Sequence, residues 1–138
     1  CSLDYPGATK IIVGDGPYRA ELERKYPDVL FAGAKFGTGL AEYYANADVF
    51  VFTSRTDTFG IVIIEALAAG VPVAAYPVTG PLDILQNTKA DCLDWDLKES
   101  MKKALKIKKE ECKEIAKQYT WENCAKIFLQ TASINLQF

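Results

Sequence analysis

The sequence predicts an α/β protein, a doubly wound parallel sheet, and three observations carry that expectation. First, short continuously apolar runs, such as KIIVG (10–14), VLFAG (29–33) and DVFVFT (48–53), recur along the first 80 residues. Strands buried on both faces read this way, whereas half-exposed antiparallel strands alternate. Second, segments of helical character about 8 to 12 residues long separate these runs, as crossover connections in a parallel sheet require. Third, 138 residues with 49% hydrophobic and 25% charged side chains suit one globular domain with a real core.

In chain order, KIIVG reads as the first strand and DGP as the turn after it. Pro17 fits the first position of the following helix, PYRAELERKY, because the N–H it lacks has no helical partner there. VLFAG is the second strand. LAEYYANA (40–47) is a helix with Thr38 as its expected cap. DVFVFT is the third strand, and an apolar helix follows over 59–69. Gly70 falls where a left-handed residue is wanted to end that helix. VPVAAYPV supplies a fourth strand, and PLDILQN (81–87) opens another helix on a proline.

From about residue 97 the pattern is helical. KESMKKALKIKKEECKEIAKQY places Met101, Ala104, Leu105, Cys112, Ile115, Ala116 and Tyr119 on a helix-spaced stripe with at least one break. The whole of 1–138 reads as a single domain, without repeats or low-complexity linkers.

Net charge is −2 but unevenly spread: residues 1–97 hold 7 basic and 13 acidic side chains, and 98–138 hold 9 and 5. The lysines of the tail are interleaved with Glu99, Glu110, Glu111 and Glu114, and no aromatics lie among them to stack on bases. A solvated helix face is expected there, not a nucleic-acid surface. The longest apolar run is too short to span a membrane, and the N-terminus has no signal-peptide pattern.

Cys1, Cys92, Cys112 and Cys124 are widely spaced and there is no histidine. Free thiols in a reducing compartment are expected, and a zinc site is not. Without histidine, chemistry falls to carboxylates, backbone groups or residues of another chain.

The stretch TDTFGIVIIEALAAGVPV concentrates the functional signal. Glu65 stands in an otherwise apolar helix, and a carboxylate is rarely buried without a partner. Either water or a ligand reaches it. The loop SRTDTFG (54–60) lies after a strand and before a helix, where ligands of parallel α/β sheets bind. Gly60 would keep the start of the helix clear of side chain, so that a phosphate or sugar hydroxyl could approach its first-turn amides. Glu65 shares a helix face with Ile61 and Thr58, and Asp57 stands just outside the start. A nucleotide-sugar presents a matching order of groups: sugar hydroxyls, diphosphate, ribose diol. A carboxylate suits vicinal hydroxyls because it accepts two hydrogen bonds. Asp57 could equally be an anion complementing the helix dipole. GDGP (14–17) could be only a strand-to-helix turn, and Ser54 and Arg55 only loop residues.

The phrase DTFGIVIIEALAAGVPV resembles the signature of the donor-binding domain of GT-B glycosyltransferases of the retaining family 4, glycosyl transferases group 1. That signature sets a carboxylate, seven residues, then Glu, in a pattern like E-x-F-G-x-x-x-x-E-A-x-A-x-G-x-P-V. VGDGP, VLFAGA, LAEYYANADVFVFTS and YTWENCAKIF match in the same order. TDTFG with AAYPVTGPLD looks most like GDP-mannose-dependent α-mannosyltransferases and their relatives.

The resemblance implies the C-terminal half of a GT-B fold, Rossmann-like. It implies retaining transfer of a hexose, mannose among the candidates, from a GDP- or UDP-linked donor to an unknown acceptor, without metal or other cofactor. Glu65 would bind the donor ribose and Asp57 would act at the transferred sugar. Phe59, Gly60, Ile61 and Val62 would hold sugar and phosphate oxygens through their backbone. Gly14 and Gly16 would pass close to the nucleotide, and the backbone of Ala34 and Lys35 would meet the base.

Asp replaces the usual Glu at position 57, one methylene shorter. Relatives open this domain with a strand and helix bearing a G-R…K-N motif that neutralises the diphosphate. The chain is expected to start after it, lacking that first strand and helix. The strands at 10–14 and 48–53 would then close over the gap or pair elsewhere, with SINLQF (133–138) a conceivable substitute. Expected partners are a nucleotide-sugar and an N-terminal acceptor domain or second chain. The expected location is cytoplasmic, with the inner face of a membrane as a possible place to meet the acceptor. Two other readings stay open: a non-catalytic nucleotide-binding remnant or subunit, and an epimerase- or phosphorylase-like GT-B fragment.

Overall fold

In the computed structural model, residues 5–56, 60–120 and 122–123 are described. They divide into two compact units, Cys1–Asn46 and Ala47–Phe138. Each contains a parallel pair of strands with helices between and after them, the Rossmann-like α/β pattern.

In the first unit, β1 (Lys10–Val13) and β2 (Val29–Gly33) run parallel on either side of α1 (Arg19–Lys25). The register sets Ile11 against Leu30. Both are about half exposed, so these strands are not the buried ones that their continuous apolar character predicts. Apolar sequence marks a face suited to covering, and nothing in the run itself says what covers it. Val29 is the buried hydrophobic residue described in this unit.

Helix α1 begins two residues later than expected. The Arg19 amide donates to Gly16 O at 3.1 Å, so Pro17 and Tyr18 form the turn leading into it. Helix α2 (Gly37–Ala45) begins earlier than expected. The Leu40 amide reaches back to Phe36 O, which puts Thr38 inside the first turn instead of at its cap.

The second unit holds most of the buried hydrophobic residues. Strands β3 (Phe50–Phe52) and β4 (Val73–Ala75) pair in parallel around α3 (Ile61–Ala68). Every residue of β4 is buried, as a strand covered on both faces should be. Gly70 ends α3 with φ 81°, the left-handed residue that the sequence calls for. Helix α4 (Thr79–Leu85) takes Pro81 as its third residue, still within the first turn where a missing N–H costs no helical bond.

The basic tail forms α5 (Leu97–Ala104) and α6 (Lys109–Ala116), with the expected break between them. Met101, Ala104, Cys112, Ile115 and Ala116 are buried and Tyr119 is half-buried. Leu105 is exposed instead, because it caps α5 as the chain turns away. The lysines of both helices face solvent. Ion pairs such as Lys102–Glu99 at 2.6 Å and Lys117–Glu114 at 2.8 Å lie on that exposed surface.

No described helix is long and apolar enough to cross a membrane. The segment SINLQF proposed for the sheet gap lies outside the described residues, as does most of YTWENCAKIF.

Candidate functional site

The predicted site residues fall in both units. In the first, Gly14 leaves the end of β1 with φ 137°, and its amide donates to Gly33 O at 2.9 Å. That bond sets the GDGP turn beside the end of β2, from which Ala34 and Lys35 continue. The loops carrying Gly14, Gly16, Ala34 and Lys35 are therefore brought together at the carboxyl ends of a parallel pair, where such folds bind ligands. Ala34 is exposed, and the Lys35 ammonium lies 5.8 Å from the Tyr43 ring centroid. Gly16 has an ordinary φ and open space around it.

Sequence reasoning missed Arg19 here. Its guanidinium pairs with Glu23 at 2.9 Å and Asp15 at 3.7 Å, and its Nη1 would lie 3.0 Å from a Cβ placed on Gly33. The hydrogen bond that Arg19 donates to Glu23 raises the Arg19 pKa further, so its charge is fixed. The Asp15 and Glu23 positions, four residues to either side, are the spacing that could have shown it.

In the second unit, Gly60 precedes α3 in the left-handed conformation, φ 71° and ψ 46°. It is buried, and a Cβ there would meet Ile63 Cδ1 at 2.9 Å and Ile84 Cδ1 at 3.5 Å. Conformation favours glycine here, and a Cβ would press inward on the tip of Ile63. The amides of Ile63 and Ile64 turn back onto Gly60 O, at 2.8 and 3.4 Å, and start the helix.

Glu65 is the fifth residue of α3, about 6 Å along the axis at ~1.5 Å per residue. It is exposed, so water reaches it, and its carboxylate is not buried as its apolar surroundings in sequence suggest. Ile63, Ala66 and Leu67 turn inward. Ile61 and Val62, 63% and 36% exposed, share the outward face with Glu65. A helix whose apolar residues run all round it thus leaves one open stripe, with a single carboxylate in it. Asp57 and Phe59 lie outside the described residues. Among the described residues no cluster of His, Cys, Asp or Glu is arranged to hold a metal ion.

Sequence reasoning also left unassigned a stack at the carboxyl ends of β3 and β4. Arg55 lies over the Tyr76 ring with its guanidinium carbon 4.6 Å from the centroid. Tyr76 in turn meets Trp95 with centroids 6.0 Å apart and planes inclined by 31°.

Parallel strand pairs, loops gathered at their carboxyl ends and a helix opening on glycine define a Rossmann-like α/β architecture. Its family follows from the match of residues 3–110 to the model of glycosyl transferases group 1, and the chain belongs to that family. It is 48% identical over 84 residues to a GDP-mannose-dependent alpha-mannosyltransferase of Mycobacterium tuberculosis, covering 60% of this chain and 22% of that protein. It is 39% identical over 82 residues to a sulfoquinovosyl transferase of Arabidopsis thaliana, covering 58% of this chain and 16% of that one.

Among solved structures, the GtfA/B complex superposes with a TM-score of 0.73 at 18% identity, over 91% of this chain and 29% of that one. Anabaena HepE in complex with UDP-glucose gives 0.66 at 24%, over 97% and 42%. These likenesses place the fold among GT-B glycosyltransferases. The chain spans about a fifth of the length of the two curated relatives.

Proposed function

We propose that the chain is the donor-binding half of a retaining glycosyltransferase that moves a hexose from a nucleotide-sugar to an acceptor. Mannose from GDP-mannose is the first candidate, since the mycobacterial relative is named for that donor. The observation that carries the reading is α3: a start set by the left-handed Gly60, then Glu65 one turn on, facing solvent beside Ile61 and Val62. The diphosphate would meet the first-turn amides and the positive end of the helix dipole. The Glu65 carboxylate would accept both ribose hydroxyls, and Asp57 would meet the transferred sugar.

In the reaction the acceptor oxygen bonds to the anomeric carbon as the bond from that carbon to the diphosphate breaks. The acceptor proton passes to the departing phosphate oxygen on the same face. Helix-start amides stabilise the charge that builds on that oxygen. This route needs neither histidine nor a metal. An acceptor-binding half, on more of the same chain or on a second chain, would complete the enzyme.

Calorimetric titration with GDP, UDP and ADP tests the reading. One nucleotide should bind, and Glu65→Gln should weaken it tenfold or more, about 1.4 kcal/mol. A folded chain that binds none of the three, or a Glu65→Gln chain that binds equally well, would overturn it.

A further inference from the structure

The stack of Arg55, Tyr76 and Trp95 is held more firmly than its loop positions suggest. Tyr76 follows the last residue of β4 directly. Trp95 is clamped on both sides: the Asp94 amide donates to Ala75 O at 3.2 Å, and Asp96 caps α5 by accepting the Lys98 amide at 2.8 Å. The Asp94 carboxylate takes the Asp96 amide at 2.9 Å and pairs with Lys103 at 2.8 Å. Below it, Ser100 fastens α5 to the Ala75 amide at 3.0 Å. The backbone carrying two of the three rings and cations is thus bolted to the sheet, and its aromatic surface is arranged before any ligand arrives.

Yet Trp95 remains 65% exposed and Arg55 is exposed as well. A large aromatic normally hides its surface in a core, and here the fold spends several hydrogen bonds to present one to solvent. The Arg55 guanidinium, its carbon 4.6 Å from the Tyr76 centroid, brings a planar set of N–H donors to the same surface. Aromatic face and planar donor stand together at the carboxyl ends of β3 and β4, the ligand side of such a sheet. Arg55 is also two residues along the chain from Asp57.

We infer that the Arg55–Tyr76–Trp95 stack is a binding platform for a pyranose ring of the acceptor, an assignment that rests on the glycosyltransferase reading above. The weakly positive axial C–H bonds of a pyranose match the negative face of an indole. The guanidinium of Arg55 donates to hydroxyls at the ring edge. A sugar held by its C–H face keeps its remaining hydroxyls uncovered, as a nucleophile must. A donor sugar, by contrast, is held through its diphosphate and needs no such surface. Glu65 and the start of α3 already supply the groups that a nucleotide diphosphate requires.

The test follows the indole N–H resonances in nitrogen–proton correlation spectra of the full chain titrated with methyl α-D-mannopyranoside. The Trp95 signal is assigned by its loss in Trp95→Leu. It should shift saturably, and Arg55→Gln should raise the dissociation constant at least tenfold while circular dichroism shows the fold intact. Saturation transfer to the mannoside should fall to background in Trp95→Leu, a substitution at an exposed site that leaves the fold in place. Addition of GDP-mannose or UDP-glucose should leave the mannoside bound.

An unmoved Trp95 signal at 100-fold excess of mannoside over protein, or saturation transfer that persists in Trp95→Leu, would overturn the platform. Displacement of the mannoside by either nucleotide-sugar would assign the stack to the donor and overturn the acceptor assignment. Failure of the donor reading appears separately, as loss of nucleotide binding in calorimetry.

Discussion

The Ser100 hydroxyl accepts the amide proton of Ala75 at 3.0 Å and donates its own proton to Cys92 O at 2.5 Å. Ser100 is fully buried on a helix whose outer face carries lysines, and it serves the backbone of a strand and a loop at once. The Ala75 amide lies at the end of β4, where the ladder to β3 gives out. A buried amide left without a partner costs about 1–3 kcal/mol. Ser100→Ala removes both contacts, so it should destabilise the chain by about 2 kcal/mol. Ser54→Ala, in a more open loop, should stay within ~0.5 kcal/mol. Urea denaturation of the two variants beside the parent chain measures the difference.

Gly70 and Lys109 meet where α3 ends against α6. A Cβ on Gly70 would lie 3.3 Å from Lys109 Cβ and 3.0 Å from Lys113 Cε, and the residue has φ 81°. The lysine tip can swing aside, but Lys109 Cβ is fixed by the helix backbone. The left-handed conformation alone costs an ordinary residue about 1–2 kcal/mol. Gly70→Ala should therefore lower stability by at least ~1 kcal/mol. Gly70→Asn should recover part of the conformational cost but none of the steric one. Thermal unfolding of both variants tests the ordering.

Much of this fold was legible because local patterns and tertiary contacts agree. The strand at Val29–Gly33 matches its expected bounds to the residue, being apolar and flanked by proline and glycine-rich turns. The left-handed Gly70 and the break between α5 and α6 were legible for similar reasons. The half-exposure of Ile11 and Leu30 was not, since apolar sequence cannot tell which face is covered. Leu105 was misplaced because the stripe was extended across the break, where the helix phase is lost.

Of the candidate site, the shared face of Ile61 and Glu65 followed from helical spacing, while the helix expected from residue 59 begins at Ile61, with Gly60 as its left-handed cap. Ser100 was overlooked because a serine among lysines looks solvated. Its spacing to Leu97, Met101 and Ala104, all buried, was the signal. The stack of Arg55, Tyr76 and Trp95 joins three segments distant in sequence, and only the pairing of β3 with β4 and the return of the 92–96 loop bring them together.

Cys92 and Cys112 give stability an alkaline limit. Burial raises both thiols from 9.0 to about 11. A thiol whose folded pKa is raised favours folding in its neutral form. That contribution is complete below pH 9 and is lost as the pH climbs from about 9 towards 11. Tyr119, raised chiefly by burial, and Lys103, raised chiefly by its bond to Asp94, lose stability in the same direction but start from higher reference values, 10.0 and 10.5. Unfolding free energy measured at half-unit steps from pH 8 to 10.5 should therefore fall first between 9 and 10. Cys92→Ala and Cys112→Ala should each flatten that early fall, leaving the later one. In the folded chain below pH 9 both thiols should resist a disulfide reagent, since so little thiolate is present.

Gly60 allows stability and binding to be separated. With φ 71° and a Cβ position 2.9 Å from Ile63 Cδ1, Gly60→Ala forces either a new backbone conformation or a shift of Ile63. The flexible tip of Ile63 can give, so the conformational strain of about 1–2 kcal/mol is the firmer cost. If the start of α3 holds a diphosphate, this variant should lose nucleotide affinity beyond tenfold, because a changed backbone at Gly60 re-aims the first-turn amides. Ile61→Ala, on the exposed stripe beside Glu65, should change stability by less than ~0.5 kcal/mol and affinity by only a few-fold. Calorimetry at a temperature where both variants are fully folded makes the comparison. Equal affinities in Gly60→Ala and the parent chain would mean that the ligand does not approach through the helix start.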